Sequence, residues 1–152
     1  MTFTPAKHLP AAFIAFVFIQ SLFFKFTGSY ETEHIFGTLA TWSDLSWFGS
    51  FGGYLIGFAE LIAAILLFTR WHGLGAIMSV GIMSVGIMSG AIFFHLFTPL
   101  GIQMPEFNAA GEIVGDDGGL LFGMACLVWL CGAFLSVKDF KNQDGFLNNF
   151  SQ

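Results

Sequence analysis

The 152-residue chain is 55% hydrophobic and 18% aromatic, and only 10% of its residues are charged. A soluble domain carries about a quarter charged residues, so most of this exterior must face an apolar medium, which is lipid. The net charge is −5 and Lys and Arg total five, so the chain has no basic stripe for phosphate contacts. This composition argues against a nucleic-acid-binding protein.

The two cysteines, Cys126 and Cys131, lie five residues apart in one apolar segment. On a helix they point in different directions and are poorly placed for a disulfide. We interpret both as core residues, since the chain has no Cys-x-x-Cys redox pair.

Four segments approach the roughly 20 apolar residues that a helix needs to cross a bilayer: 9–29, 51–69, 74–97 and 120–137. Lipid offers no partners to backbone polar groups, so each segment predicts a transmembrane helix. The first is longer than a signal-peptide core and lacks a small-x-small cleavage site, so we expect it to be retained. The prediction is one all-α domain, a polytopic membrane four-helix bundle over 1–152.

Local residues predict where these helices begin and end. Pro10 suits the first turn of the first helix, and Pro99 follows the end of the third. Asp117, Gly118 and Gly119 precede the fourth helix and predict its start.

The segment 31–42 predicts an additional interfacial helix between the first and second transmembrane helices. Ile35, Phe36, Leu39 and Trp42 recur there at helical spacing. Two interpretations stay open: a packed cover for the bundle, or a functional lid over a site.

Orientation follows from the cations in the connections, because Lys and Arg accumulate on the cytoplasmic side of membranes. Lys7, Arg70, Lys138 and Lys141 all fall on one side of the predicted helices. Segments 30–50 and 98–119 fall on the other side and contain seven acidic residues but no Lys or Arg. Both termini are therefore predicted to be cytoplasmic.

The third helix contains an internal repeat, in which Ile-Met-Ser recurs every five residues from Ile77. Five residues turn a helix by about 500°, so the repeats do not form one stripe. Ser79, Gly86 and Gly90 share one face, for which we predict close helix contact. The opposite face is predicted to carry Ser84, Met88 and His95.

Three ionisable residues lie within the predicted spans: Lys25, Glu60 and His95. Such residues cost about 2.5–3.5 kcal/mol at the bilayer centre on insertion scales, which makes them functional-site candidates for ligand binding or proton exchange. Gly57 shares a helix face with Glu60, and Ser21 shares one with Lys25, which would let the two side chains meet inside the bundle. The catalytic residues, if any, stay unknown.

Each candidate also has a structural interpretation. Lys25 suits an interfacial anchor, Glu60 a structural ion pair, and His95 a hydrogen bond at the interface. Asp116 and Asp117 suit capping of the fourth helix better than ligand binding.

The remaining polar candidates are Gln20 and His34. Gln20 is predicted to form an interhelical hydrogen bond, and His34 lies in the predicted interfacial helix. Glu60, His95, Asp116 and His34 are suitable ligand types for a metal, but no His-x-x-His or Glu-x-x-His spacing is present. We therefore predict no metal site.

Three short motifs resemble the DoxX family of small four-helix membrane proteins. They are Leu22-Phe23-Phe24-Lys25-Phe26, Gly57-Phe58-Ala59-Glu60-Leu61, and Gly90-Ala91-Ile92-Phe93-Phe94-His95-Leu96. The resemblance implies a four-helix bundle in the cytoplasmic (inner) membrane and a link to quinone-coupled oxidoreduction. It also implies that Lys25, Glu60 and His95 match the family's polar motif residues.

Three functions are compatible with these features. The first is a redox-associated subunit that binds a quinone or similar small molecule in a polar pocket on the outer side of the membrane. A partner would supply the electrons, because the chain has no cofactor motif of its own. The second is a non-catalytic subunit of a larger membrane complex. The third is an oligomeric small-solute or proton-linked carrier. The expected partners are the lipid bilayer and either a membrane protein partner or further copies of the chain.

Overall fold

The computed structural model describes the backbone of residues 5–68 and 74–150, and the side chains of 8–66 and 81–138. Within these ranges the fold is mainly helical, with five helices and one small β-hairpin. The elements are α1 (Pro5–Thr27), α2 (Tyr30–Ser43), α3 (Ser46–Phe68), α4 (Leu74–Phe97), β1 (Pro105–Phe107), β2 (Ile113–Asp116) and α5 (Leu120–Phe150).

Three helices are long and apolar enough to cross a membrane: His8–Thr27 in α1, Ser46–Leu66 in α3 and Leu120–Lys138 in α5. In α4 the described side chains form a shorter apolar stretch, Gly81–Phe97. A membrane protein is therefore supported by length and composition. The side chains of 74–80, at the start of the predicted third span, lie outside the described ones, as do those of Lys7, Arg70 and Lys141.

Three helix boundaries differ from the sequence-based prediction. The first helix begins at Pro5, so Pro10 lies inside it and costs one backbone hydrogen bond rather than filling the first turn. The α3 helix begins at Ser46, before the apolar run, and α5 continues to Phe150, well past it. Hydropathy locates the part of a helix that suits lipid, whereas backbone hydrogen bonding carries the helix beyond it.

The helix predicted at 31–42 is present as α2. Ser29 caps its start by accepting a hydrogen bond from the Thr32 N–H, and Asp44 ends it in the left-handed conformation. Phe36 is buried against α3, where a Cβ at Gly52 would lie 2.6 Å from its Cδ1 atom. Only glycine allows α2 to pack this closely on the first turns of α3.

The β-hairpin between α4 and α5 was not predicted. Its strands of 3 and 4 residues pair antiparallel, with an irregular register after Glu106, and are too short to show alternation. Tyr30 of α2 lies 6.0 Å from Phe107 of β1 between ring centroids. The two acidic segments, 30–50 and 98–119, therefore meet at the same end of the molecule.

Helices α4 and α5 cross closely at Gly81 and Gly132. A Cβ at Gly132 would lie 3.0 Å from the Gly81 carbonyl oxygen, and one at Gly81 would collide with Ser136. The close contact predicted at Gly86 and Gly90 is wrong, because a Cβ at either position would meet nothing within 4 Å. The Ser79 side chain, predicted on the same face, lies outside the described residues. The opposite face, which carries Ser84, Met88 and His95, is the buried one instead.

Candidate functional site

Lys25 of α1 and Glu60 of α3 form an ion pair inside the bundle. The Lys25 ammonium lies 2.9 Å from Oε2 and 3.1 Å from Oε1 of Glu60, and it also donates to the Ser21 hydroxyl. The Glu60 side chain is 2% exposed. The sequence placed both charges in apolar segments, and the structure brings them into direct contact.

Glycine allows this contact to form. A Cβ at Gly57, one turn before Glu60, would lie 3.5 Å from Lys25 Cδ and 3.3 Å from Phe26 Cζ. Alpha helices that present small residues approach each other closely, so a short Glu60 side chain can meet the ammonium without a gap. The attraction between the two charges offsets the desolvation free energy that each charge would cost alone in an apolar interior.

Aromatic rings lie close to the pair, since Phe26 and Lys25 both lie beside Gly57. Phe26 lies 6.0 Å from Tyr54 and 5.5 Å from Phe58 between ring centroids, and all three rings are exposed on the surface of the apolar helices. Lys25 keeps 14% of its side chain exposed, unlike Glu60. Lys25 is therefore the more exposed side chain of the pair.

His95 lies in a different part of the molecule. Phe94 contacts Phe48 near the start of α3, with ring centroids 6.5 Å apart. Glu60 follows twelve residues after Phe48, which is about 18 Å along a helix. The three predicted site residues therefore form one ion pair and one separate histidine.

Backbone and ring contacts fix the His95 imidazole. Its Nδ1 donates to the Gly101 carbonyl oxygen at 2.5 Å, and Phe122 of α5 packs edge-on at 5.8 Å between ring centroids. The residue is 6% exposed. His95 thus joins the end of α4 to the following loop and to the first turn of α5.

Asp117 caps α5, as one of the two sequence interpretations expected. Its carboxylate accepts hydrogen bonds from the backbone N–H groups of Met104, Gly119 and Leu121, each within 2.9 Å. Partial burial acts to raise the pKa of Asp117, but the hydrogen bonds from these N–H groups outweigh it and lower the pKa. Asp116 makes a smaller turn, accepting from the Gly118 N–H.

The other two candidates lie at the surface. Gln20 is exposed on α1, so it does not join α1 to a neighbouring helix as predicted. His34 of α2 lies 5.9 Å from Phe107 between ring centroids and lines an open depression of about 490 Å³ with Glu33, Trp42 and Pro99. Neither residue is shown in contact with Lys25 or Glu60.

Sequence reasoning missed Ser84 of α4 as a special position. Its hydroxyl is fully buried and, among the described side chains, is the one buried polar group without a hydrogen-bond partner. A serine within a repeat of Ile, Met and Gly gives no signal that its hydroxyl is unpaired. Among the described residues, no three His, Cys, Asp or Glu side chains are grouped to hold a metal, and both cysteines are free.

Compared with models of known protein families, with curated proteins and with solved structures, the chain matches none. The resemblance to the DoxX family stays a prediction, and function is inferred from the residues and their geometry.

Proposed function

We propose that this protein is a DoxX-like, four-helix protein of the cytoplasmic (inner) membrane that binds a quinone or similar lipid-soluble carbonyl compound at the Lys25–Glu60 pair. It acts as the ligand-binding subunit of a redox system, and a partner supplies the electrons. The N- and C-termini are cytoplasmic.

One observation carries the proposal: a buried carboxylate holds the ammonium of a lysine whose side chain stays partly exposed, close to exposed aromatic rings. Glu60 is 2% exposed and Lys25 is 14% exposed. A carbonyl oxygen is an acceptor, and the ammonium is a donor with three N–H groups. Flat rings such as Phe26 and Phe58 suit the face of a quinone.

Ser21 occupies one of the three donors of Lys25, and both Glu60 oxygens accept from the same ammonium. A carbonyl ligand therefore takes the place of the Ser21 hydroxyl and leaves the ion pair intact. His95 plays no part in this binding. It belongs to α4 and lies beside the start of α3, far along that helix from Glu60.

Binding is tested by titrating the purified full chain with a short-chain quinone analogue. Ser21→Ala frees one N–H of Lys25, so we expect about two- to tenfold tighter binding, the worth of one hydrogen bond. Thr27→Ala is the matched control, because its hydroxyl donates to the Phe23 carbonyl on the same helix. Equal affinity in wild type and Ser21→Ala contradicts the proposed ligand position.

A second function, a non-catalytic subunit of a larger membrane complex, is favoured by the completeness of the ion pair. Every donor of Lys25 and both oxygens of Glu60 already have contacts within the chain. Protein purified from its native membrane separates the two functions. A stoichiometric quinone that is lost in Glu60→Gln supports ligand binding, whereas a stable polypeptide partner without a small molecule supports the structural subunit.

Topology is tested separately by a reporter fused after Gln152. Activity of a reporter that works only in the cytoplasm is the expected result, and activity of one that works only outside overturns the orientation.

A further inference from the structure

The loop between α4 and the β-hairpin forms an open depression of about 590 Å³ beside His95. Its lining includes Leu96, Ile102, Gln103 and Gly118. Small-molecule sites usually range from about 300 to 1,000 Å³, so the space suits a single ring. It belongs to the loop end of the molecule and shares no lining residue with the Lys25–Glu60 pair.

His95 lines this depression, and its imidazole has one nitrogen, Nε2, without a hydrogen-bond partner among the described groups. A carbonyl oxygen only accepts hydrogen bonds, so Nδ1, which contacts the Gly101 carbonyl, carries the proton. In the neutral ring the lone pair is then on Nε2. Among the described groups none bonds Nε2, so this nitrogen is the imidazole acceptor that a ligand in the depression would reach.

We propose that this depression is a second binding site, for a small aromatic molecule that donates a hydroxyl hydrogen bond to Nε2 of His95. The ligand class is a phenol, including the hydroquinone type. Nε2 is an acceptor held in a fixed direction by the Gly101 bond and by Phe122 behind the ring. Leu96 and Ile102 supply apolar contacts for the phenol ring, and the Gln103 amide suits a further polar substituent.

This site is independent of the proposed function. It uses a different side chain at a different end of the fold, and the protein group accepts the hydrogen bond instead of donating it. Lys25 donates to a carbonyl oxygen, whereas His95 accepts from a hydroxyl. The two sites therefore select different chemical forms of ligand, and one can fail without the other.

The test titrates the purified full chain in lipid nanodiscs with 4-butylphenol and with its methyl ether. The ether partitions similarly into lipid but has no hydroxyl donor, so it controls for non-specific uptake. We expect the phenol to bind about three- to tenfold more tightly than the ether, the worth of one hydrogen bond. Equal binding of the two compounds overturns the proposal.

His95→Asn is the informative variant, because the asparagine amide can donate to the Gly101 carbonyl while lacking Nε2. It should remove the preference for the phenol, whereas Lys25→Met should keep it. A preference that survives in His95→Asn, or that is lost only in Lys25→Met, assigns the phenol elsewhere and overturns the site.

If His95→Asn does not fold, a measurement on the wild-type chain tests whether the phenol binds at His95. With ¹⁵N-labelled histidine, the phenol should shift one imidazole Nε2 resonance, and the ether should not. The His95 signal is identified by its Nδ1 proton, which the Gly101 carbonyl holds against exchange. No shift of that Nε2 signal at saturating phenol contradicts the proposal.

Discussion

The α1–α3 and α4–α5 contacts hold two pairs of apolar helices together by different means. Between α1 and α3 an ammonium meets a carboxylate beside Gly57. Between α4 and α5 the backbones meet at Gly81 and Gly132, with no charge at the crossing. The first contact depends on both partners being present, and the second depends on the absence of side-chain volume.

This difference predicts different responses to substitution. A buried ion pair tolerates joint replacement but not the loss of one member, because the remaining charge is left without compensation. A glycine crossing tolerates no added atoms, whatever their polarity.

Glu60→Met alone or Lys25→Met alone should lower the free energy of unfolding by about 3–5 kcal/mol, because each leaves a buried charge unpaired. The double variant should recover most of this loss, since two apolar side chains replace the pair. Unfolding of each variant in mixed detergent micelles measures the effect. Additive losses in the double variant would show that the two side chains do not interact.

Gly132→Ala should lower the free energy of unfolding by about 1–3 kcal/mol, because the added Cβ meets the Gly81 carbonyl oxygen at 3.0 Å. Gly86→Ala and Gly90→Ala are matched controls on α4, where a Cβ meets nothing within 4 Å. These controls should be neutral or slightly stabilising. The same unfolding assay checks all three, and a loss in Gly90→Ala equal to that in Gly132→Ala would contradict the assigned crossing.

Asp117→Asn tests whether the stability of α5 depends on its N-terminal cap as well as on the glycine crossing. We expect a loss of about 1 kcal/mol near neutral pH, typical of a weakened helix cap. The pKa of Asp117 is lowered in the folded state, so its charge stabilises the fold above the unfolded pKa of about 3.9. That stability is lost as the pH falls through the lower folded pKa.

The check is the free energy of unfolding of wild type and Asp117→Asn as a function of pH. The two curves should converge in acid, and a constant difference down to the lowest pH would show that the Asp117 charge contributes nothing. Asp116→Asn is the control, because Asp116 accepts a single N–H from Gly118 and should have a smaller effect.

Ser84→Ala should be neutral or stabilising by up to about 1 kcal/mol, because it removes a buried hydroxyl that has no described partner. Ser136→Ala on α5 is the control, since its hydroxyl donates to the Gly132 carbonyl at 2.9 Å. A clear loss of stability in Ser84→Ala would mean that its hydroxyl has a partner in the membrane, such as a bound water or ligand.

Much of the helical pattern could be predicted from residue type alone. Long apolar runs must be helical in lipid, and the range 74–97 agrees with the α4 helix. Glu60 and Lys25 could be selected because charges within such runs are costly and need a partner. Capping by Asp117 was also foreseeable, since a carboxylate before a helix start suits the free N–H groups.

Most helical segments, and the charges that need compensation, can be predicted from the residues alone, because both follow from local polarity. Which helix faces meet is a property of the tertiary structure. It pairs Lys25 with Glu60, separates His95 from both, and directs Gly86 and Gly90 away from the α4–α5 crossing. In an all-apolar helix hydropathy does not mark the inner face, so helix partners are chosen by shape and by a few polar contacts between distant residues.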